Sequence, residues 1–339
     1  MAVDIIVDWE RLPQIRIDPL TGKSVIVSAK RAQRTKKSDN CPFCPGNEDE
    51  TPKALVVIPD PSNPQEWATR GFSNLFPPLM IEDGGDNNNV SHFFKQYVRK
   101  GIGASEVIVE SPKHDACLSE LTELEIAAIF WALAGRYFDL KKDPRFAYFY
   151  AFKTNGDGAS QKHPHWQDEA REFAPTLIHD KCQIMSEYEA NQRECLLCRI
   201  CQEEKRSGLV VTETDHFVAY VPFAPTEPYA IQIAPREHSS CFAYYLQDKD
   251  ITLEFARVLR EAVVKVRKVV QGERWEGLPA PNYLFCLYTA PYGDDVNSYY
   301  HWHVDLLPRT THKVGHERGT GEDIIPVFPE EAAETLRNA

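Results

Sequence analysis

The chain has 339 residues, with 38 lysines and arginines against 50 aspartates and glutamates, and a formal net charge of −12. This acidic balance argues against broad electrostatic binding to nucleic acid or to anionic membranes. No run approaches the roughly 20 apolar residues that span a bilayer, and the start MAVDIIVDWERLP has neither the basic nor the apolar region of a signal peptide. We therefore expect a cytoplasmic protein with neither a membrane nor a nucleic acid as partner.

The first half of the chain carries a series of chemically informative features. In chain order they are the pair Cys41-Pro-Phe-Cys44, a strand-like run Ser105–Glu110, His114, a helix over Ile126–Tyr137, a strand Phe146–Lys153, and the triplet His163-Pro-His165. The helix is predicted because its apolar residues recur at i, i+3, i+4, i+7 and i+11. Thr122 and Glu125 have the spacing of a capping box at its start.

The second half repeats these features in the same order. They are Cys195-Leu-Leu-Cys198, a strand Tyr229–Pro235, His238, a helix over Phe255–Val266, a strand Asn282–Thr289, and His301-Trp-His303, with a terminal helix after Val327. Repetition of a whole series indicates an internal duplication. We therefore predict an α+β fold of two similar halves, residues 1–185 and 186–339, which share a mainly antiparallel sheet flanked by helices.

Each half supplies two thiols and two imidazoles in matched positions. The two predicted ligand sets are Cys41, Cys44, His114 and His163 in the first half, and Cys195, Cys198, His238 and His301 in the second. Zinc prefers four tetrahedral ligands of these types, and C-x-x-C lets one turn present two sulfurs. A lone C-x-x-C pair is also typical of a redox centre, and one half could keep the residues for packing alone. The matched histidines favour zinc at both sites, the second being compatible with another transition metal.

The H-x-H triplet of the first half predicts a nucleophile. Alternate residues of a strand face the same side about 6.6 Å apart, so His165 would lie beside a metal held by His163 without binding it. The amide of Gln167 orients a phosphate but does not protonate a leaving group, which favours nucleotidyl transfer over hydrolysis. The preceding loop, residues 155–160, offers backbone N–H groups to phosphate oxygens, with a plain turn as the alternative.

Together with IRIDPLTGKSVIVSAKRAQRTKK, FSNLFPPLM, HPHWQ and GTGEDIIPVFPEEAA, these motifs resemble the histidine-triad superfamily and, within it, the galactose-1-phosphate uridylyltransferase family. The resemblance implies histidine-triad-like halves with half-barrel sheets, and a ping-pong reaction with His165 as covalent nucleophile and Gln167 as its phosphate partner. It also implies a homodimer with its sites at the subunit interface. The implied substrates are a nucleotide sugar, or another nucleoside diphosphate derivative, and a sugar phosphate or inorganic phosphate.

The same resemblance implies a set of substrate contacts. They are Arg31 and Arg34 near the nucleotide, Asn74 and Phe76 near the base, Asn155, Gly158 and Ser160 near the phosphates, and Glu317 near the hexose, with His316 beside it as a further contact. The loop over residues 155–163 is shorter than the family's usual phosphate loop, so the donor's second phosphate would be held differently.

The resemblance leaves the substrates open. A hexose-1-phosphate uridylyltransferase is the leading interpretation, but Leu75 stands where uridylyltransferases usually carry aspartate beside the base. An adenylyltransferase or phosphorylase that acts on ADP-glucose or adenylyl sulfate, with phosphate as acceptor, is therefore the alternative. The alternative from another functional class is a non-catalytic nucleotide-binding protein that zinc stabilises. Asp305, neither glutamine nor histidine, follows His303 at the matching spacing, so we predict a structural role for His303.

Overall fold

The computed structural model describes residues 12–33, 40–82, 91–156, 158–159, 161–270, 282–293, 295–310 and 313–339. Its strands are β1 (Gln14–Ile17), β2 (Ser24–Val27), β3 (Ala54–Pro59), β4 (Trp67–Ser73), β5 (Val98–Lys100), β6 (Gly103–Val109), β7 (Tyr148–Asn155), β8 (His165–Arg171), β9 (Val210–Glu213), β10 (Phe217–Tyr220), β11 (Ile231–Pro235), β12 (Tyr283–Tyr288) and β13 (His303–Pro308). Its α-helices are α1 (Glu123–Leu140), α2 (Thr176–Gln192), α3 (Leu196–Arg206), α4 (Phe242–Tyr245), α5 (Lys249–Val270), α6 (Gly315–Thr320) and α7 (Pro329–Asn338). Among these described segments, no helix combines the length and the apolar character needed to cross a bilayer.

Ten of the strands form one sheet in the order β3-β4-β6-β8-β7-β12-β13-β11-β10-β9. All neighbouring pairs in this sheet are antiparallel. The predicted α+β class with a mainly antiparallel sheet is confirmed, and the sheet is open, with β3 and β9 at its edges. The order is symmetric about its centre, where β7 and β12 join five strands of the first half to five of the second. A separate three-stranded sheet, β2-β1-β5, was not predicted.

The two predicted long helices pack against each other on one face of the large sheet. Thr122 Oγ1 accepts a hydrogen bond from the Glu125 backbone N–H, and the Glu125 carboxylate accepts one from the Thr122 N–H, so the capping box at the start of α1 is confirmed. The apolar stripes of α1 and α5 are buried, and the rings of Phe130 and Phe255 meet edge to face at 4.8 Å. The predicted division at residues 185 and 186 falls within α2 and stays a prediction.

The H-x-H triplets differ from the expected geometry. Only the second histidine of each lies on a strand, because β8 begins at His165 and β13 at His303. His163 lies in a bend and His301 in an irregular segment, each just before its strand, and the ring of each lies close to the paired cysteines. The expectation that both histidines of a triplet lie on one strand was therefore wrong: the predicted metal ligand of each triplet precedes the strand, and the second histidine begins it.

Two carboxyl groups lie side by side in the core, where Glu106 on β6 and Asp168 on β8 are register partners. Arg136 of α1 donates to both oxygens of Glu106, over 2.6 and 2.8 Å. Neither Asp168 oxygen has a hydrogen-bond donor among the described residues. Burial, and then the charge of Glu106, raise the pKa of Asp168 well above its ordinary value of 3.8. Asp168 therefore keeps its proton in the folded chain at a pH where the unfolded chain has released it.

This pKa shift predicts a pH-dependent effect of Asp168→Asn on stability. Because the native state binds the extra proton, the free energy of unfolding of the wild type falls as pH rises from about 4 through the raised native pKa. The variant has no such proton, so its stability relative to wild type should increase with pH in urea titrations between pH 4 and pH 9. Asp139→Asn is the matched control, because hydrogen bonds from Lys142 and then Arg136 lower the pKa of Asp139. Its destabilisation should be nearly constant from about pH 5 to pH 9 and should shrink only as pH falls below about 4. Parallel trends for the two variants would contradict the assignment.

Candidate active site and metal centres

The first predicted ligand set comes together between the C-x-x-C turn and the start of β8. One ligand atom from each of Cys41, Cys44, His114 and His163 lies within 4.8 Å of the others. His163 Nδ1 is 3.6 Å from both sulfurs, and His114 Nδ1 is 3.2 Å from the Cys44 sulfur. Tetrahedral zinc with Zn–S of about 2.3 Å and Zn–N of about 2.0 Å requires sulfur-to-nitrogen distances of about 3.6 Å. The donor set and its spacing fit zinc.

Hydrogen bonds outside the ligand set fix its orientation. His163 Nε2 donates to the Ser111 carbonyl over 2.7 Å, so the proton is on Nε2 and the Nδ1 lone pair points to the cysteines. Burial lowers the pKa of His163, which favours the neutral ring that a metal requires. Arg70 Nη2 donates to the Pro42 carbonyl over 3.0 Å and so braces the C-x-x-C turn against β4.

The second predicted ligand set is assembled in the same way at the start of α3. Cys195, Cys198, His238 and His301 each bring a ligand atom within 4.8 Å of the others. His301 Nδ1 is 3.6 Å from the Cys195 sulfur and 3.4 Å from that of Cys198. His238 Nε2 donates to the Asn297 carbonyl over 2.8 Å, which leaves Nδ1 for the metal. Hydrogen bonds from Cys198, and then from His238 and His301, lower the pKa of Cys195 and favour the thiolate.

His165 lies beside the first ligand set but does not belong to it. Its Nδ1 is 2.8 Å from the His163 carbonyl oxygen, which can only accept, so Nδ1 carries the proton. In the neutral ring the lone pair is then on Nε2. Phe43, the residue between proline and the second cysteine of the turn, packs edge to face on His165 at 5.4 Å and on His163 at 6.1 Å. The C-x-x-C turn therefore positions the His165 ring through Phe43.

His165 and Gln167 line a cleft of about 580 Å³ on the same face of the sheet. The other lining residues are Pro42, Phe43, Glu50, Thr51, Phe72, Asn74, Leu75, Phe76, Val107 and Gln161. The structure thus brings the two predicted base contacts, Asn74 and Phe76, into one cleft with the predicted catalytic pair. Sequence reasoning missed Phe43 and Gln161 as lining residues, although both are next to motifs that it used.

Of the two predicted arginine contacts, only Arg31 lies among the residues that the structure describes. Arg31 Nη1 donates to the Phe76 carbonyl over 3.3 Å, which places its guanidinium behind the base end of the cleft. Burial lowers the pKa of Arg31, and the charge of Glu169 opposes that effect. Arg34 and the predicted phosphate contact Ser160 lie outside the described residues.

The remaining predicted contacts do not line the cleft within one chain. Asn155 ends β7, opposite Tyr283 of β12, and Gly158 follows in the loop that leads to β8. His316 and Glu317 lie on the exposed helix α6, where the Glu317 carboxylate accepts from the Val314 N–H at 3.1 Å. The predicted hexose contacts are therefore separate from the cleft of their own chain.

His303 is the residue of the second half that corresponds to His165. His303 Nδ1 is 3.1 Å from the His301 carbonyl oxygen, the same contact that fixes His165. Both rings are buried, with His165 5% and His303 2% exposed, but the His303 Nε2 accepts a hydrogen bond from the Lys181 ammonium of α2 over 3.1 Å. Burial, and then the Lys181 charge, lower the pKa of His303 well below its ordinary value. The ring nitrogen that would attack a substrate is thus bonded to a lysine of the same chain, and the structural role of His303 stays a prediction.

Comparison with known proteins shows the same organisation over almost the whole chain. The family model described as galactose-1-phosphate uridyl transferase, N-terminal domain, matches residues 6–175. ADP-glucose phosphorylase of Arabidopsis thaliana is 30% identical over 96% of this chain and 92% of its own length. Galactose-1-phosphate uridylyltransferase of Thermotoga maritima is 31% identical over 96% of this chain and 98% of its own length.

Solved structures agree with these sequence matches. The crystal structure of Arabidopsis thaliana ADP-glucose phosphorylase with bound ADP-glucose has a TM-score of 0.75 at 30% identity and covers 96% of this chain and 99% of that chain. A uridylyltransferase structure has a TM-score of 0.80 at 26% identity and covers 96% of this chain and 97% of that chain. Relatives of two different nucleotide specificities thus share this fold.

Proposed function

Because the chain belongs to the galactose-1-phosphate uridylyltransferase family and is a nucleotidyltransferase, we propose that it transfers a nucleoside monophosphate through a covalent bond to His165. The observation that carries this proposal is the hydrogen bond from His165 Nδ1 to the His163 carbonyl. It assigns the lone pair to Nε2 of a ring that lines the cleft.

In the first half-reaction, the Nε2 lone pair of His165 forms a bond to the α-phosphorus of the donor. The bond from this phosphorus to the bridging oxygen breaks, and that oxygen leaves with the second phosphate, or with sulfate where the donor is adenylyl sulfate. The ring becomes cationic, and the His163 carbonyl that accepts from Nδ1 stabilises the charge. The leaving group is a phosphate or sulfate anion that needs no proton, which suits an amide rather than a general acid at Gln167.

In the second half-reaction, a phosphate oxygen of the acceptor attacks the same phosphorus. The bond from phosphorus to Nε2 breaks, and the electron pair returns to the ring as the nucleotide product leaves. Gln167 follows His165 by two residues on β8 and faces the same cleft. Its amide would hold the phosphoryl oxygens in both steps and leave the histidine bond intact between them.

We propose that Cys41, Cys44, His114 and His163 hold one zinc ion and that the second ligand set holds another zinc or another transition metal. A bound ion would supply structural cross-linking rather than electrophilic chemistry, since all four positions in each set are taken by protein ligands. His163 would then be fixed at its Nδ1 by the ion and at its Nε2 by Ser111. This fixed residue supplies the carbonyl that orients His165.

Two donor classes are candidates. A uridylyl donor with hexose 1-phosphate as acceptor follows from the family, and an adenylyl donor such as ADP-glucose or adenylyl sulfate, with inorganic phosphate as acceptor, is the second candidate. Leu75 lines the cleft beside Asn74 and is 57% exposed. A leucine offers no acceptor to the N3–H group of uracil, and this observation supports the adenylyl donor.

We propose that the functional unit is a homodimer and that it lies in the cytoplasm. Each chain would consist of two halves that divide near residue 185. The exposed position of His316, with the half-buried Glu317 beside it on α6, supports the homodimer, since α6 of one copy would complete the hexose end of the other copy's cleft. None of the nine cysteines, all of which the structure describes, is in a disulfide, which is in keeping with a reducing compartment.

Incubation with UDP-glucose, ADP-glucose or adenylyl sulfate, each labelled at the α-phosphorus, tests both the reaction and the donor. One donor should leave acid-labile label on the denatured protein, because a phosphorus–nitrogen bond to histidine is stable to base but not to acid. We expect the unlabelled acceptor, inorganic phosphate or hexose 1-phosphate, to remove that label. If none of the three donors labels the protein, covalent transfer from this set of donors is excluded.

A further inference from the structure

An arginine of the second half reaches the phosphate loop of the first. Arg309 directly follows β13, and its backbone N–H donates to the Asn282 carbonyl over 2.7 Å. A Cβ atom built on Gly158 would lie 2.9 Å from Arg309 Nη1 and 2.9 Å from Thr154 Cγ2. The guanidinium of Arg309 therefore lies close to Gly158, which follows the end of β7.

The register of the sheet places this guanidinium on the reactive face. Lys153 pairs with Trp166, so Thr154 lies beside His165 on the neighbouring strand. Paired residues share a sheet face, and the face of Thr154 is also that of Gln167. Because a Cβ atom on Gly158 would be 2.9 Å from both atoms, Arg309 Nη1 and Thr154 Cγ2 are at most about 5.8 Å apart, and the charge lies near the end of β7 that neighbours His165.

The charge of Arg309 is not neutralised within the part of the chain that the structure describes. Its side chain makes no ion pair and no hydrogen bond to a described residue, and it is exposed. By contrast, Arg31 donates to the Phe76 carbonyl and lies in the field of Glu169. Arg309 thus offers donors of a planar guanidinium at a glycine-containing loop, an arrangement that suits a phosphate group.

We propose that Arg309 binds the second phosphate of the substrates, the one that leaves with the donor's remainder and that attacks in the return step. This inference rests on the proposed function, because the phosphate attached to His165 and the second phosphate are then adjacent. In a ping-pong reaction the leaving and attacking phosphates use the same place in turn. One guanidinium therefore serves both half-reactions.

Calorimetric titration with UMP and UDP, and with AMP and ADP, tests this assignment without requiring turnover. Each pair differs by the second phosphate alone. In whichever pair the protein binds, Arg309→Gln should weaken the affinity for the diphosphate by roughly 10- to 100-fold. The affinity for the monophosphate should stay within about twofold of wild type. Arg309→Lys should recover part of the loss, since it restores the charge but not the planar fork. Arg206→Gln, at the exposed end of α3, removes the same charge elsewhere and should change neither affinity.

Unchanged monophosphate affinity also shows that the Arg309→Gln variant is folded. An equal loss for monophosphate and diphosphate, or no loss for either, would overturn the assignment of Arg309 to the second phosphate. A wild-type protein that binds none of the four nucleotides would overturn the proposed function, and this inference with it. The same loss of diphosphate affinity in Arg206→Gln would show that net charge, rather than the position of Arg309, is responsible.

Discussion

His165→Ala should abolish nucleotidyl transfer, with a fall in kcat of at least about 10⁴-fold, because it removes the ring nitrogen that we propose forms the bond to phosphorus. His165 lines the cleft, and its Nδ1 proton is engaged by the His163 carbonyl, so the reactive lone pair is specific to this ring. Steady-state turnover with the donor identified by labelling measures the effect. Binding of the nucleoside monophosphate should persist, since most of the cleft is unchanged.

The chain carries its own matched control in the twin residue of the second half. His303→Ala removes an identical ring with the same contact to a preceding histidine carbonyl. It should lower stability by about 2–4 kcal/mol, because it leaves a cavity and an unpaired Lys181 ammonium in the core. Activity per folded chain should stay within about threefold of wild type. Loss of transfer in folded His303→Ala, or more than about a tenth of wild-type activity in His165→Ala, would refute the assignment of roles.

Loss of the first metal site should be the second large effect. Cys41→Ser removes one thiolate of the set that fixes His163, and loosens the turn that holds Phe43 against His165. Displacement of a nucleophile by about 1 Å is enough to lower a rate about 100-fold, so we expect at least that fall in kcat. Metal content should fall from two ions to one per chain, and thermal unfolding should occur at a lower temperature.

Cys195→Ser gives the matched loss in the second half. It also removes one thiolate and one ion, but its ligand set packs with α3 and β11, away from the cleft. We expect a similar drop in metal content, a lower unfolding temperature, and turnover within about threefold of wild type in folded protein. Metal analysis, thermal melts and turnover on the same samples check both variants. Equal activity losses for Cys41→Ser and Cys195→Ser would show that the two sites are not functionally distinct.

The sequence was sufficient to predict the parts of the site whose chemistry restricts residue choice. Two thiols and two imidazoles in matched order are rarely assembled for another reason, and the structure brings both ligand sets together. The buried apolar faces of α1 and α5 were also predictable, since a helix that packs against a core must repeat its apolar residues with the period of the helix. Gln167 was identified for the same reason, because its position beside His165 limits the reaction that the pair can perform.

The sequence was not sufficient where tertiary geometry decides. Nothing near Arg309 marks it as a neighbour of Gly158, because their contact depends on the central β7–β12 pair that joins the two halves. The Lys181 contact to His303 depends on how α2 crosses the sheet, and a charge on a helix is usually solvated. His163 lies in a bend before β8 because β8 begins at His165, and a sequence pattern does not fix the residue at which a strand begins.

The mass of the intact protein after incubation with its donor in the absence of acceptor tests the covalent mechanism most directly. We expect the mass to increase by one nucleoside monophosphate per chain. Peptide mapping should locate the adduct at His165, and addition of the acceptor phosphate should remove it. Turnover without any adduct in a rapid-quench time course, or an adduct on a different residue such as His303, would contradict it.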